Sequence, residues 1–190
     1  MSLYQAPSGE NINWVKFNGK AGRWYVKKDG AETEVVNPVF VADLANAKRA
    51  WMHFQEGQAP NVVYFPSHDA QVAKPSENHK LGISVNLFSN NLFGGVVRLE
   101  SNSINTCKAI NELYETYAAS NEAKQGLLPV VKVTGATPIK GNYGTNFAPV
   151  FVIDKYVARP DELQEATKAG AAPVSAPVAS APPAGSASEF

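Results

Sequence analysis

Flat rings and cations alternate near the front of this chain. Over Trp14 to Lys28, W-V-K-F-N-G-K-A-G-R-W-Y-V-K-K, the rings of Trp14, Trp24 and Tyr25 join Phe17, and Lys16, Lys20, Arg23, Lys27 and Lys28 add five positive charges with no acid between them. Rings stack on bases and cations meet phosphates, and a groove for single-stranded nucleic acid needs both. The plainer use of the same residues is a first strand with solvated lysines and buried aromatics.

Other chemistry is thinly supplied. The three histidines, His53, His68 and His79, have no metal-ligand spacing with one another. An enzyme would need a cleft converging on His68, Asp69 and His79. Cys107 is the one cysteine, so neither an intramolecular disulfide nor a cysteine-built zinc site is available. It lies on the apolar face of a predicted helix, as a small buried hydrophobe would. No phosphate loop, dinucleotide fingerprint, H-E-x-x-H or nucleophile elbow occurs. The acids are scattered, without a pair suited to two-metal hydrolysis. The expectation is a non-enzyme without a cofactor or metal.

A chain of 190 residues suits one well-buried domain. Its formal net charge of zero hides an asymmetry, since Ile12 to Arg159 holds 16 basic and 12 acidic residues. Much of that excess lies in the opening block, which permits an electrostatic footprint on nucleic acid. Met1 to Pro7 lacks the basic and apolar regions of a secretory signal, and no apolar run reaches membrane-spanning length. A cytoplasmic protein is expected.

The elements that would position the opening block are mainly strands. Val15 and Phe17 alternate with Trp14 and Lys16, and Trp24 and Val26 with Tyr25, on either side of Gly19 and Gly22. That predicts a bent strand or a hairpin. Glu34 to Leu44 is rich in β-branched residues, with Pro38 marking an edge or bulge. Ala47 to Phe54 is expected as a strand with Arg49, Trp51 and His53 on one face, against a competing helix over Ala42 to Trp51. Glu56 to Lys80 has little periodicity and at most a short strand at Val62 to Phe65. Leu81 to Glu100 predicts a hairpin. Ser103 to Gln125 predicts a helix capped by Ser103 and stopped by Gly126. Leu127 to Val133 and Pro149 to Val157 predict strands joined by a glycine-rich loop over 135–147. Three regions result: a flexible lead-in at 1–11, a nucleic-acid-binding domain at 12–160, and a tail at 161–190. The tail's Ala, Pro and Ser content predicts disorder.

Strands, a helix, then two final strands is the order of the OB-fold, a five-stranded Greek-key barrel with its helix between strands three and four. With W-V-K-F…G-R-W-Y-V-K-K, P-V-F-V-A-D-L and P-V-V-K-V-T-G…F-A-P-V-F-V-I-D-K-Y-V-A-R-P, the chain resembles bacteriophage single-stranded DNA-binding proteins of the OB-fold type over roughly Glu10 to Pro160. The resemblance implies sequence-tolerant binding of single-stranded DNA during phage-type replication or recombination, in the cytoplasm of a host cell. Trp24 or Tyr25, Trp51 and Tyr143 are the expected platforms. Lys16, Lys20, Arg23, Lys27, Lys28, Arg49, Arg98, Lys132 and Lys140 are the expected phosphate contacts. In such families an acidic tail with a terminal aromatic recruits replication proteins. Here Glu189 and Phe190 would do so with less charge than that pattern carries. The competing class is a β-rich structural or virion-assembly protein that binds no nucleic acid.

Overall fold

The computed structural model describes residues 13–28, 30–55, 60–142 and 144–169. Tyr143, Glu189 and Phe190, together with 1–12 and 170–190, lie outside the described residues.

The opening block folds as a hairpin of β1 (Trp14–Asn18) and β2 (Arg23–Lys28). Asn18 closes the turn. Its side-chain oxygen accepts from the Lys20 and Ala21 amides at 3.0 and 3.2 Å, and its carbonyl from Gly22 at 2.8 Å. Gly22 has φ 68°, a left-handed conformation that costs glycine least. β3 (Ala31–Val35) pairs with β2, and the chain then bends through Asn37, where φ is 47°, into Pro38. β4 (Val39–Ala42), a single 3-10 turn at Leu44–Asn46 and β5 (Lys48–His53) follow, so the strand expected after Ala47 forms and the helix does not. β6 (Asn61–Tyr64) is the short strand of the next, aperiodic segment.

β7 (Lys80–Ser89), the four-residue helix α1 (Asn90–Phe93) and β8 (Gly95–Ser101) form the central hairpin. α2 (Ile104–Ala118) is shorter than expected. It stops before Ser120, whose hydroxyl accepts from the Ala123 amide at 3.1 Å and so caps a separate short helix, α3 (Asn121–Lys124). β9 (Leu128–Gly141) and β10 (Gly144–Val157) then run 14 residues each. The glycine-rich 135–147 segment is therefore no loop. Its residues continue the ladder from Gly135 opposite Val150 to Gly141 opposite Gly144. α4 (Asp161–Ala169) completes the described chain.

The result is α+β and mostly β, with ten strands in one sheet ordered β10-β9-β4-β7-β8-β1-β2-β3, and with β5 and β6 branching from β7. This replaces the expected five strands, and the long helix falls between the eighth and ninth strands. All described pairings are antiparallel except β1 with β8. β7 bridges the branch because its first half pairs with β5 and its second with β4. The sheet curls strongly. Register shifts bend β10 at Val150/Phe151 and Ile153/Lys155, and the Phe147 amide donates to Gly19 O at 2.6 Å, tying β10 to the first turn.

The concave side holds the core. Val15, Trp24, Val26, Phe40, Leu87 and Val131 meet there, with Ile110, Leu113 and Tyr117 supplied by α2. Trp24 lies at the centre, its ring 5.3 Å from Phe17, 6.0 Å from Phe151 and 6.3 Å from Phe40. Aromatic pairs of this kind contribute about 0.5–1.5 kcal/mol each beyond the area they bury.

α4 corrects the expectation that the tail starts at 161. Leu163 is fully buried, and a polar latch holds the helix to the body. Asp43, itself fully buried, accepts from Arg159 Nη1 and Nη2 at 2.6 and 2.8 Å and from Asn46 Nδ2 at 3.1 Å, and Thr167 Oγ1, whose proton it shares with Leu163 O, lies 3.3 Å away. Asp161 and Glu162 sit in the first turn, where the helix dipole favours negative charge. Among the described residues no helix is long and apolar enough to cross a membrane.

Candidate nucleic-acid interface

Strand parity and hairpin register sort the opening block onto two faces. Val15 and Phe17 point to the core, so Trp14, Lys16 and Asn18 point out. Register then places Lys27 opposite Trp14, Tyr25 opposite Lys16 and Arg23 opposite Asn18, all on the outer face. Phe17 faces Trp24, which is 3% exposed. Trp24 is therefore a core residue and cannot be a stacking platform, and Tyr25 is the member of that pair that reaches solvent.

The outer face carries two half-buried rings among cations. Lys16 Nζ stands 5.1 Å from the Trp14 ring centroid and 5.6 Å from that of Tyr25, and Lys27 Nζ stands 5.8 Å from Trp14. Such contacts are worth about 0.5–1 kcal/mol at exposed sites. A base stacking on either ring can therefore displace the ammonium at small cost. Arg98 extends the row, because β8 lies parallel to β1 with Arg98 beside Trp14, and Asn86 of β7 follows beside Arg98. Lys27, Trp14, Arg98 and Asn86 thus run across four strands, about 15 Å at the usual strand spacing.

β3 tempers the charge of this face. Glu32 pairs with Lys16 at 2.7 Å and Glu34 with Arg23 at 2.9 Å. Both pairs are partly exposed, and pairs of this kind are worth about 0–1 kcal/mol, so a phosphate can compete for either cation. Lys20 is exposed in the first turn and Lys28 at the end of β2.

Four expected residues fall elsewhere. Arg49 donates to His68 O at 2.7 Å and stands over Phe65, while Trp51 Nε1 donates to Val72 O at 2.8 Å. The two side chains pin the 65–79 segment against β5, so Trp51 is partly covered and its ring packs against Phe65. Lys132 sits on β9, paired with Asp154 at 2.6 Å and three strands from β8. Lys140 is exposed near the end of the β9–β10 hairpin. None of them joins the Trp14–Tyr25 face.

Trp14, Lys48 and Tyr64 are the residues that sequence reasoning left out. Lys48 Nζ stands 5.6 Å from the Tyr64 ring, and Tyr64 bonds Glu100 and receives Arg98 Nη1 at 3.4 Å. Burial and the Glu100 carboxylate push the Tyr64 phenol up to about 12. The signal for Trp14 was present. A hairpin closed by Asn18 and Arg23 places Trp24 opposite Phe17, inside, and leaves Trp14 outside with Lys16.

The remaining reactive groups make internal contacts. His68 Nε2 donates to Ala47 O at 2.8 Å, which leaves Nδ1 to accept from Tyr114 Oη at 3.3 Å. His79 is buried against His53, its Nδ1 2.8 Å from Ser76 Oγ. Among the described residues no three His, Cys, Asp or Glu side chains gather closely enough to hold a metal. Cys107 is half-buried, donates to Ser101 O at 3.2 Å, and has its thiol pushed up by burial.

Compared with protein-family models, curated proteins and solved structures, the chain matches none.

Proposed function

We propose that this protein is a non-catalytic, sequence-tolerant single-stranded DNA-binding protein acting in phage-type replication or recombination, in the cytoplasm of a host cell. The observation that carries the reading is the outer face of the first hairpin. There Trp14 and Tyr25 lie among Lys16, Lys27 and Arg98 on a rigid, paired scaffold. Aromatic stacking contributes about 1–3 kcal/mol per base and is indifferent to sequence, and the cations add a salt-dependent term. The curling of the sheet onto the Gly19–Gly22 turn supports kinship with OB-type barrels as part of this proposal. Recruitment of replication proteins through Glu189 and Phe190 also belongs to it.

The test is titration with fluorescent oligo-dT, oligo-U and duplex DNA at two salt concentrations. Tight, salt-sensitive binding of oligo-dT with weak duplex binding is expected, and equal or absent binding of all three refutes the reading. One observation favours a β-rich structural or assembly protein instead. Glu32 and Glu34 already occupy Lys16 and Arg23, and Val39, Val150 and Val152 are exposed on the two strands that flank β9.

A further inference from the structure

Beside the Trp14 face the sheet surface dips into a cavity of about 80 Å³. Lys48, Tyr64, Ser84, Asn86 and Arg98 form its floor and sides, and Thr167 and Ala166 of α4 close it. Asn46 adjoins them and is tied to the Asp43 latch. The volume is well below the roughly 300–1,000 Å³ of sites that enclose a whole organic ligand. It suits a compact group.

The lining is rich in donors. Among the described residues, Arg98 spends one long hydrogen bond on Tyr64, Lys48 makes none and stands over the Tyr64 ring, and the Asn86 amide makes none. Of the acceptors nearby, Glu100 Oε1 takes the Tyr64 hydroxyl and, at 3.4 Å, that of Ser84, and the Thr167 hydroxyl donates away from the cavity to Leu163 O at 2.8 Å. A guanidinium and an ammonium with spare N–H groups, beside a neutral amide, match an anion with several oxygens. A neutral ligand would leave the surplus donors unmatched.

We infer that the recess between Lys48 and Arg98 binds one phosphate group, held by the Arg98 fork, the Lys48 ammonium and the Asn86 amide, with α4 as its wall. That the phosphate belongs to a bound single strand rests on the proposed function. Arg98 lies beside Trp14 in the parallel register, so a strand stacked on Trp14 brings its backbone to the mouth of the recess. The latch on Asp43 then has a functional consequence, because it fixes the wall formed by Thr167 and Ala166.

The experiment has two arms on the full chain. In the first, the ³¹P line of inorganic phosphate is followed as protein is added at constant ionic strength, for the wild type, Lys48→Met and Arg98→Gln. Broadening by the wild type, weakened on the order of tenfold in each variant, is expected for lost charge-assisted bonds. No broadening by the wild type, or equal broadening by all three, overturns the recess. Among the described residues the Lys48 side chain makes no hydrogen bond and only stands over the Tyr64 ring, so Lys48→Met alone decides the arm if Arg98→Gln loses its native circular dichroism. The second arm measures oligo-dT affinity against salt. A slope reduced in each variant, by at most about 0.7 for the one phosphate they share, identifies the strand as the source. Loss of phosphate binding with the slope unchanged overturns the strand as source and leaves a free phosphate as ligand. If the wild type binds phosphate but not oligo-dT, the recess stands and the DNA reading falls.

Discussion

Replacing Asp43 by Ala tests what holds α4. The carboxylate is fully buried and accepts from Arg159, Asn46 and Thr167, and its loss leaves the Arg159 guanidinium, 19% exposed, without its counter-charge. Removing one partner of a buried pair costs about 3–5 kcal/mol. Arg159 retains some solvent, so the lower end applies, about 3 kcal/mol. In a domain of this size each kcal/mol lowers the melting temperature by roughly 2–4 °C, which gives a fall of about 6–12 °C. Arg159→Ala should cost more, because it strands a carboxylate with no access to water. Thermal melting gives the global number, and limited trypsin digestion at Lys168 gives the local one. Asp43→Ala should be cut there faster than the wild type. A melting temperature within 2 °C of wild type refutes the latch as a stabilising element. A lower melting temperature with unchanged cleavage shows that the network braces the sheet and leaves α4 to hold itself.

Further consequences follow from burial. Trp24→Ala should lose about 3–5 kcal/mol in urea unfolding, the range for a large core aromatic, and a loss under 1 kcal/mol contradicts its central place. Tyr64 keeps its proton in the folded chain to about pH 12, whereas the unfolded chain loses it near 10. The unfolded state therefore binds fewer protons between those values, and stability falls as pH rises through that window. Tyr64→Phe should flatten that part of the curve of urea midpoint against pH, and an unchanged curve refutes the assignment. Changing Lys27 and Lys28 together to Ala should reduce the salt slope of oligo-dT binding by up to about 1.4 while leaving the melting temperature nearly unchanged.

Much of the local structure was legible because strand periodicity is short-range. The alternation in Trp14 to Lys28, and Arg49, Trp51 and His53 opposite Ala50 and Met52, correctly marked strands. The choice between Trp24 and Tyr25 stayed open and Trp14 was missed because each strand was read separately, when the register across the turn fixes both faces together. The charge balance of the site was hidden for a related reason. Glu32 and Glu34 neutralise cations 16 and 11 residues earlier, through a third strand. The glycines of 135–147 looked like loop residues, yet a ladder with a neighbouring strand holds them extended. α4 has one large buried side chain, so its periodicity was weak. The chain just before it is tied down by an ion pair spanning 116 residues, Arg159 to Asp43, which no local pattern reveals. The covering of Trp51 by the 65–79 segment is likewise a tertiary fact.

The central claim is that a single strand stacks on the outer face of the first hairpin. Its most direct test is oligo-dT titration at low salt of the wild type, Trp14→Ala and Tyr25→Ala, with thermal melting in parallel. Each variant should bind roughly 5- to 150-fold more weakly, as loss of one stacking platform worth about 1–3 kcal/mol requires, and should melt close to the wild type. Wild-type affinity in both folded variants would contradict the account.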